Sequence, residues 1–281
     1  MTYARRITDW DSAYANAPNI PGGDDYPDRW AAAAKAFRAE ANGEIGVSYG
    51  ERERERYDLF RPAGEPRGLV VFVHGGYWIR FGRSDFSHLA AGPLARGWAV
   101  AMPSYTLAPD ARIAQIAREA ASAVFHAGEM VDGPIRLIGH SAGGHLVTRM
   151  IATVDGARPG ALLPGATLDR VERVVSVSGV HDLRPILRIA QNEAIGLDWA
   201  EATVESPALL APLPGIDVTA WVGQSERAEF VRQSALLANV WTGLGARCAF
   251  VSESDRHHFD VIEGLVDPHS ALTEAVIGAA A

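Results

Sequence analysis

From Gly68 onward the chain alternates short apolar runs with stretches of helical period, and this rhythm limits the fold more than any other feature. "GLVVFVHG", "WAVAMPSY", "IRLIGH", "RVVSVSGV", "IDVTAWVG" and "RCAFVS" are short, apolar and mostly rich in β-branched residues. Near-continuous apolarity marks strands covered on both faces, as in parallel sheets. Between them, "DFSHLAAGPLARG", residues 112–126, "SAGGHLVTRMIATV", residues 230–241 and the tail "SALTEAVIGAAA" are expected as helices. In residues 112–126 a buried stripe is expected at Ile113, Ile116, Ala117, Ala120 and Val124. A βαβα succession of this kind predicts a mostly parallel sheet with helices on both faces. Ligands of such sheets bind at the carboxyl ends of the strands.

Upstream, residues 27–41 predict a helix, with proline in its first turn and Trp30, Ala33, Ala34, Phe37 and Ala41 on one face. "EIGVSYG" and "RYDLFRP" predict a hairpin, and the sign-balanced "ERERER" between them predicts a solvated turn that resists edge pairing. No linker or repeat interrupts the 281 residues, so one domain over 1–281 is expected. The formal charge of −8 gives no indication of a basic face for nucleic acid, and no nucleic-acid partner is expected. The single cysteine, Cys248, cannot staple the fold and is expected as a small core residue of its strand. No apolar run is long enough for a signal peptide core or a membrane span, so a soluble cytoplasmic protein with no membrane partner is expected. A homodimer is compatible with the sequence, which does not set the oligomeric state.

The junction "IRLIGHSAGGHL" places one serine, Ser141, between glycines two positions to either side, where a strand turns into a helix. So sharp a bend forces the central residue toward left-handed backbone angles and crowds its flanks. It pushes the serine beyond the strand end and aims the N-terminus of the helix at whatever the serine attacks. Upstream, "FVHGGYW" follows the first strongly apolar strand. Its glycines let main chain approach another group with N–H bonds pointing inward, as an oxyanion hole requires. The donors would come from Gly75, Gly76 or Tyr77, joined by Ala142, the residue after the serine.

A nucleophilic serine needs a base. His74 and His140 belong to these two motifs and are expected to orient backbone. His88, His126, His145 and His269 carry no signal, and His181 follows a strand and is a candidate pocket residue. His257 and His258, in "DRHHFD" after the last strand, return over the sheet's carboxyl edge, and one of them is expected as the base. The acid is expected after "IDVTAWVG": Glu226, three residues past Gly223, with Glu229 the runner-up inside the next helix and Asp260 next. Asp217 lies at the wrong end of its strand.

Together "HGGYW", "GHSAGG", "SGVHDLRP", "ERAEFVRQS" and "HHFDVIE" resemble the kynurenine formamidase (arylformamidase) branch of the α/β-hydrolases. The resemblance extends to "DWDSAYAN" and so covers most of the chain. It implies an α/β-hydrolase fold and a serine hydrolase acting on a small-molecule amide or ester, with no cofactor and no metal. It makes Ser141 the nucleophile, Glu226 the acid and His258, directly before Phe259, the base. Two departures stand out: the family commonly has Asp where this chain has Glu226, and Ser-Pro where it has Arg227-Ala228. A lid is expected over residues 181–214 together with the N-terminal 1–41. Leu197, Trp199, Leu209 and Leu210 are candidates for its inner wall. Trp78, His140, His181 and Phe259 are candidate pocket residues, with Phe81 adding aromatic surface.

Overall fold

The computed structural model describes residues 6–279. Eight strands form one sheet: β1 (Gly43–Ser48), β2 (Arg56–Phe60), β3 (Leu69–Val73), β4 (Ala99–Pro103), β5 (Ile135–His140), β6 (Val171–Val177), β7 (Asp217–Gly223) and β8 (Cys248–Glu253). Their order is β1-β2-β4-β3-β5-β6-β7-β8. The β1–β2 hairpin and the β2–β4 pair are antiparallel, and every later pair is parallel.

The period of two along each strand divides the core between the sheet's faces. Leu69, Val71 and Val73 of β3 enter one apolar cluster, and Val70 and Phe72 enter the other. The first cluster lies beneath α3 (Ile113–Met130), α4 (Ala142–Met150) and α5 (Ala228–Gly243). All five expected stripe residues of α3 are fully buried there. The second lies beneath α2 (Tyr26–Glu40), which follows the short α1 (Trp10–Tyr14), and beneath the C-terminal α6 (Ala271–Ile277), with Trp30 and Leu272 among its members. An ion pair from Arg38 to the fully buried Asp58 of β2 fixes α2 to the sheet. Among the described residues no helix is long and apolar enough to cross a membrane.

Three expected elements differ in detail. "DFSHLAAGPLARG" divides into a 3-10 turn (Ser87–Ala90) and a five-residue helix (Ala91–Ala95), because Pro93 removes a helix donor. The elbow helix stops at Met150, and Ala152–Thr153 instead pairs with Ala211–Pro212 as a short ribbon. The C-terminal helix ends at Ile277 before Gly278, whose φ is 90°. Its last residues, 280–281, and residues 1–5 of the expected lid lie outside the described residues. Two readings of single residues are corrected. Cys248 is half-buried on the edge strand rather than in the core, although burial still pushes its thiol up to about 12. In "ERERER", Arg54 turns inward and donates to the carbonyls of Tyr105 and Phe81, so the run also ties down a loop beside the site.

Candidate active site

Strand β5 ends at His140 and α4 begins at Ala142, with Ser141 as the whole connection. Its backbone stands at φ 56° and ψ −115°, a strained conformation worth about 1–3 kcal/mol. The strain is held from two sides: Ser141 N–H donates to the Val177 carbonyl at 2.8 Å, and Ser141 O accepts from His145 N–H at 3.1 Å. The glycines are sterically required. A Cβ on Gly143 would sit 1.9 Å from the Val73 carbonyl oxygen, and one on Gly139 would sit 2.2 Å from the Gly143 oxygen. The chain thins around Ser141 because three backbone segments meet there.

The loop after β3 approaches the same point. A Cβ on Gly75 would lie 3.0 Å from Ser141 Cβ. Gly76, Tyr77 and Trp78 all have positive φ (104°, 51° and 57°). Successive residues in this region turn their N–H groups toward one concavity that suits an anion. Among the described residues nothing accepts from the N–H groups of Gly76, Tyr77 or Ala142. The Gly76 carbonyl accepts from Ile79 and Arg80, the Trp78 carbonyl accepts from Ala108, and Tyr77 Oη donates to the Tyr14 carbonyl at 2.6 Å. His74 holds the loop from behind. Its Nδ1 donates to Gly75 O at 2.8 Å and its ring stacks on Tyr105 at 4.3 Å. Burial lowers its pKa to about 4, so the ring is neutral near pH 7.

The histidine pair after β8 separates into two environments. His258 Nδ1 lies 2.6 Å from Glu226 Oε2, and both side chains are buried. Glu226 Oε1 accepts from Gly223 N–H at 2.8 Å and from Ser178 Oγ at 2.5 Å. Three donors on one buried carboxylate make a rigid acid in a single rotamer. Beneath His258 lie Phe230, with ring centroids 4.2 Å apart, and His140, at 4.7 Å. His140 Nε2 donates to the His258 carbonyl at 2.8 Å. Desolvation first, and the nearby His258 second, push the His140 pKa well below its ordinary value and keep that ring neutral. His257 faces the other way, 3.2 Å from Tyr26 Oη and 3.1 Å from Asp260.

The other acid candidates are occupied elsewhere. Glu229, in the first turn of α5, accepts from Tyr14 Oη and pairs with Arg232. Asp260 caps His257 N–H at 2.7 Å.

Ser141, His258, His140, Gly75, Gly76 and Tyr77 all border one cavity of about 230 Å³. A cavity of about 150 Å³ holds benzene, and drug-sized ligands occupy roughly 300–1,000 Å³. The space suits one substituted aromatic ring. Trp30, Phe81, Phe86 and Phe259 give it an aromatic wall. With His258 Nδ1 held by Glu226, the ring nitrogen left for Ser141 is Nε2. No hydrogen bond joins the two among the described residues.

Two expected pocket residues lie elsewhere. Trp78 is fully buried and edge-on to His145 at 5.2 Å, because Tyr77 takes the cavity side and its neighbour points into the core. His181 is buried between Thr148 Oγ1 and Ser176 Oγ, each at 3.3 Å. Of the expected lid wall, Trp199 and Leu209 are 64% and 42% exposed, and Leu197 and Leu210 are buried outside the cavity. From residues 181–214, Gln191 borders the cavity. The larger share of that wall is residues 14–18, with Trp30 behind them. This stretch falls within the N-terminal 1–41 expected beside the lid, whereas Phe86 and Ser178 were not among the expected residues. A hydroxyl directly after an apolar strand, in "VSVSG", was the available signal for Ser178.

Residues 70–279 match the model of the Alpha/beta hydrolase family. Kynurenine formamidase of Danio rerio is 30% identical over 250 residues, covering 83% of this chain and 80% of that protein. The enzyme of the same name from Salmo salar is 29% identical with the same coverage. A crystal structure of a putative thioesterase from Silicibacter sp. TM1040 superposes with a TM-score of 0.89 at 45% identity, covering 96% of this chain and 99% of that one. Esterase B from Lactobacillus rhamnosis, at 18% identity and a TM-score of 0.64, shares the fold, covering 85% of this chain and 87% of that one.

Proposed function

The chain belongs to the alpha/beta hydrolase family, and from that premise we propose that it is a serine hydrolase cleaving a small aryl formamide such as N-formylkynurenine. The observation that carries the reading is the convergence of Ser141, a Glu226-bound His258 and unpaired N–H groups on one small aromatic cavity.

Ser141 Oγ attacks the formyl carbon while His258 Nε2 takes its proton. Glu226 holds Nδ1–H, fixing the tautomer and stabilising the imidazolium that forms. The oxyanion falls among the N–H groups of Gly76, Tyr77 and Ala142, each such donor being worth about 3 kcal/mol of barrier. His258 then gives its proton to the departing aryl amine, leaving a formyl ester on Ser141. Water, deprotonated by His258, attacks that ester and formate leaves. Amide plus water becomes amine plus formate, and the enzyme is restored.

Two features support an amide substrate. The Danio and Salmo relatives carry the formamidase name. Asn16 and Gln191 border the cavity, and their buried carboxamide oxygens find no partner among the described residues, which suits a substrate bearing N–H groups. A carboxylesterase for short acyl esters is the second reading. The Silicibacter neighbour, described as a putative thioesterase, points to an acyl ester rather than an amide, though to a thioester, and the chemistry is common to amide and ester up to the acyl-enzyme.

A panel of N-formylkynurenine, other anilides and short p-nitrophenyl esters separates the readings. The formamide is expected to have the highest kcat/KM, and an ester preference of tenfold or more selects the second reading. Ser141→Ala is expected to lower kcat on the order of 10⁶-fold on every substrate. Retention of a tenth of the wild-type rate would remove Ser141 as nucleophile. EDTA is expected to leave the rate unchanged, and a zinc-reversible loss would overturn the mechanism.

A further inference from the structure

The N-terminal stretch from Asp9 to Ile20 lies outside residues 70–279, the part that matches the alpha/beta hydrolase family model, yet it is tied to the residue after the acid, to the ring beneath His258 and to the oxyanion loop. Its short helix, Trp10–Tyr14, is capped by Asp9. Arg227, directly after the acid Glu226, donates to Ser12 O, Ser12 Oγ and Asn19 Oδ1 at 3.0–3.2 Å. Tyr14, 1% exposed, places its hydroxyl between Gln233 Nε2 at 2.9 Å and Glu229 Oε2 at 3.1 Å. Its ring meets Phe230 edge-on at 5.7 Å, and Phe230 is the floor beneath His258. Its carbonyl accepts the Tyr77 hydroxyl at 2.6 Å.

Tyr77 is where this matters. It is a non-glycine residue at φ 51°, between two other residues of positive φ, in the loop whose N–H groups face Ser141. A conformation of that kind persists only where the surroundings over-determine it. Within the loop the restraints are backbone turns, and the tie that reaches out of the loop from Tyr77's side chain ends on the strap. We propose that Tyr77 is a positioning residue, its hydroxyl on the Tyr14 carbonyl locking the oxyanion loop to an N-terminal strap added to the common hydrolase core. This rests on the serine hydrolase reading and deepens it. The strap builds the wall of the cavity at residues 14–18, and through Tyr77 it also sets the aim of the N–H groups that stabilise the transition state.

Tyr77→Phe removes the hydroxyl and keeps the ring. Tyr49→Phe is the control: it deletes a bond of the same kind, Tyr49 Oη to the Ser104 carbonyl at 2.7 Å, away from the cavity. Tyr77→Phe is expected to lower kcat about tenfold with KM within twofold. It is also expected to weaken a trifluoromethyl ketone that forms a tetrahedral adduct by the same factor. Tyr49→Phe is expected to leave all three unchanged at a similar melting temperature. Arg227→Ala, which loosens the strap without touching Tyr77, is expected to lower kcat several-fold alone and to add nothing to Tyr77→Phe.

Wild-type kcat and adduct affinity in Tyr77→Phe, an equal loss in Tyr49→Phe, or multiplying effects of Tyr77→Phe and Arg227→Ala would each overturn the proposal. Should Tyr77→Phe not fold, Arg227→Ala decides through the kcat and adduct-affinity split, unchanged values of both overturning the proposal. Ser141→Ala is measured in parallel. An active Ser141→Ala sinks the serine mechanism, whereas a dead Ser141→Ala beside a fully active Tyr77→Phe sinks the strap alone.

Discussion

Glu226 and Glu229 stand three residues apart, and the fold gives them opposite tasks. Glu226 leaves the strand end in a loop and meets His258, whereas Glu229 is already helical and turns to Tyr14 and Arg232. Glu226→Gln keeps the shape but offers His258 the wrong tautomer, a change worth about 10⁴ in kcat in a serine protease. Glu229→Gln is expected to leave kcat within about tenfold and to lower the melting temperature, because it unpairs Arg232 and loosens Tyr14. Comparable mild losses of kcat in both variants would place the acid elsewhere. His258→Ala is likewise expected to abolish turnover while His257→Ala costs little, since His257 contacts Tyr26 and Asp260 rather than the triad. A dead His257→Ala beside an active His258→Ala would reverse the assignment of the pair. These roles were legible because they follow chain order and distance from a strand end. The partners of Glu226 were less so: Ser178 directly follows the neighbouring strand β6, and its position in the sequence does not say which side chain across the sheet it meets.

At the scale of elements, the elbow was the most legible part of the chain because its sterics are local. Gly139 faces Gly143, and Gly143 faces Val73 of the adjacent strand. Gly143→Ala would drive a methyl to 1.9 Å from a backbone oxygen inside the sheet, where no side chain can yield. It is expected to cost about 3 kcal/mol or more and to lower the urea midpoint at unchanged m-value. Gly165, a helical glycine with open space around it, is the matched control and is expected to tolerate Ala. Equal, small shifts in both would mean that the strand–helix junction relaxes freely. The alternating strands were legible for a similar reason, since burial on both faces demands an apolar residue at almost every position. The cavity wall was not. Trp199 and Leu197 carry the composition of a pocket lining, but exposure and core packing claim them. Within the expected N-terminal 1–41, the residues that border the cavity beside the aromatic ones include Ala15, Asn16, Ala17 and Pro18, small and polar residues whose placement depends on Arg227 and Tyr77 far along the chain. Hydrophobic periodicity cannot register a segment that is held by hydrogen bonds.

The whole molecule carries an unusual load of buried imidazole. His74, His140, His145 and His181 are each 4% exposed or less and lie around the elbow. Desolvation is the leading cause in all four and pushes each below its ordinary value, His74 to about 4 and His145 and His181 to about 3. In the unfolded chain they titrate near 6.5. The folded state therefore binds fewer protons than the unfolded state from about 6.5 down to about 4 and below. Stability rises with pH wherever the unfolded state binds more protons. The contribution of these groups is full above 6.5 and is lost as pH falls toward their folded values, at up to about 1.4 kcal/mol per pH unit for each histidine. Urea titrations at pH 7, 6 and 5 are expected to show a midpoint that falls steadily at constant m-value. That interval lies above the ordinary range of carboxylates, so the loss reports histidine. A midpoint that stayed level from pH 7 to 5 would mean that these rings hold their protons in the folded state, and the neutral histidines behind the oxyanion loop and beneath His258 would have to be redrawn as cations.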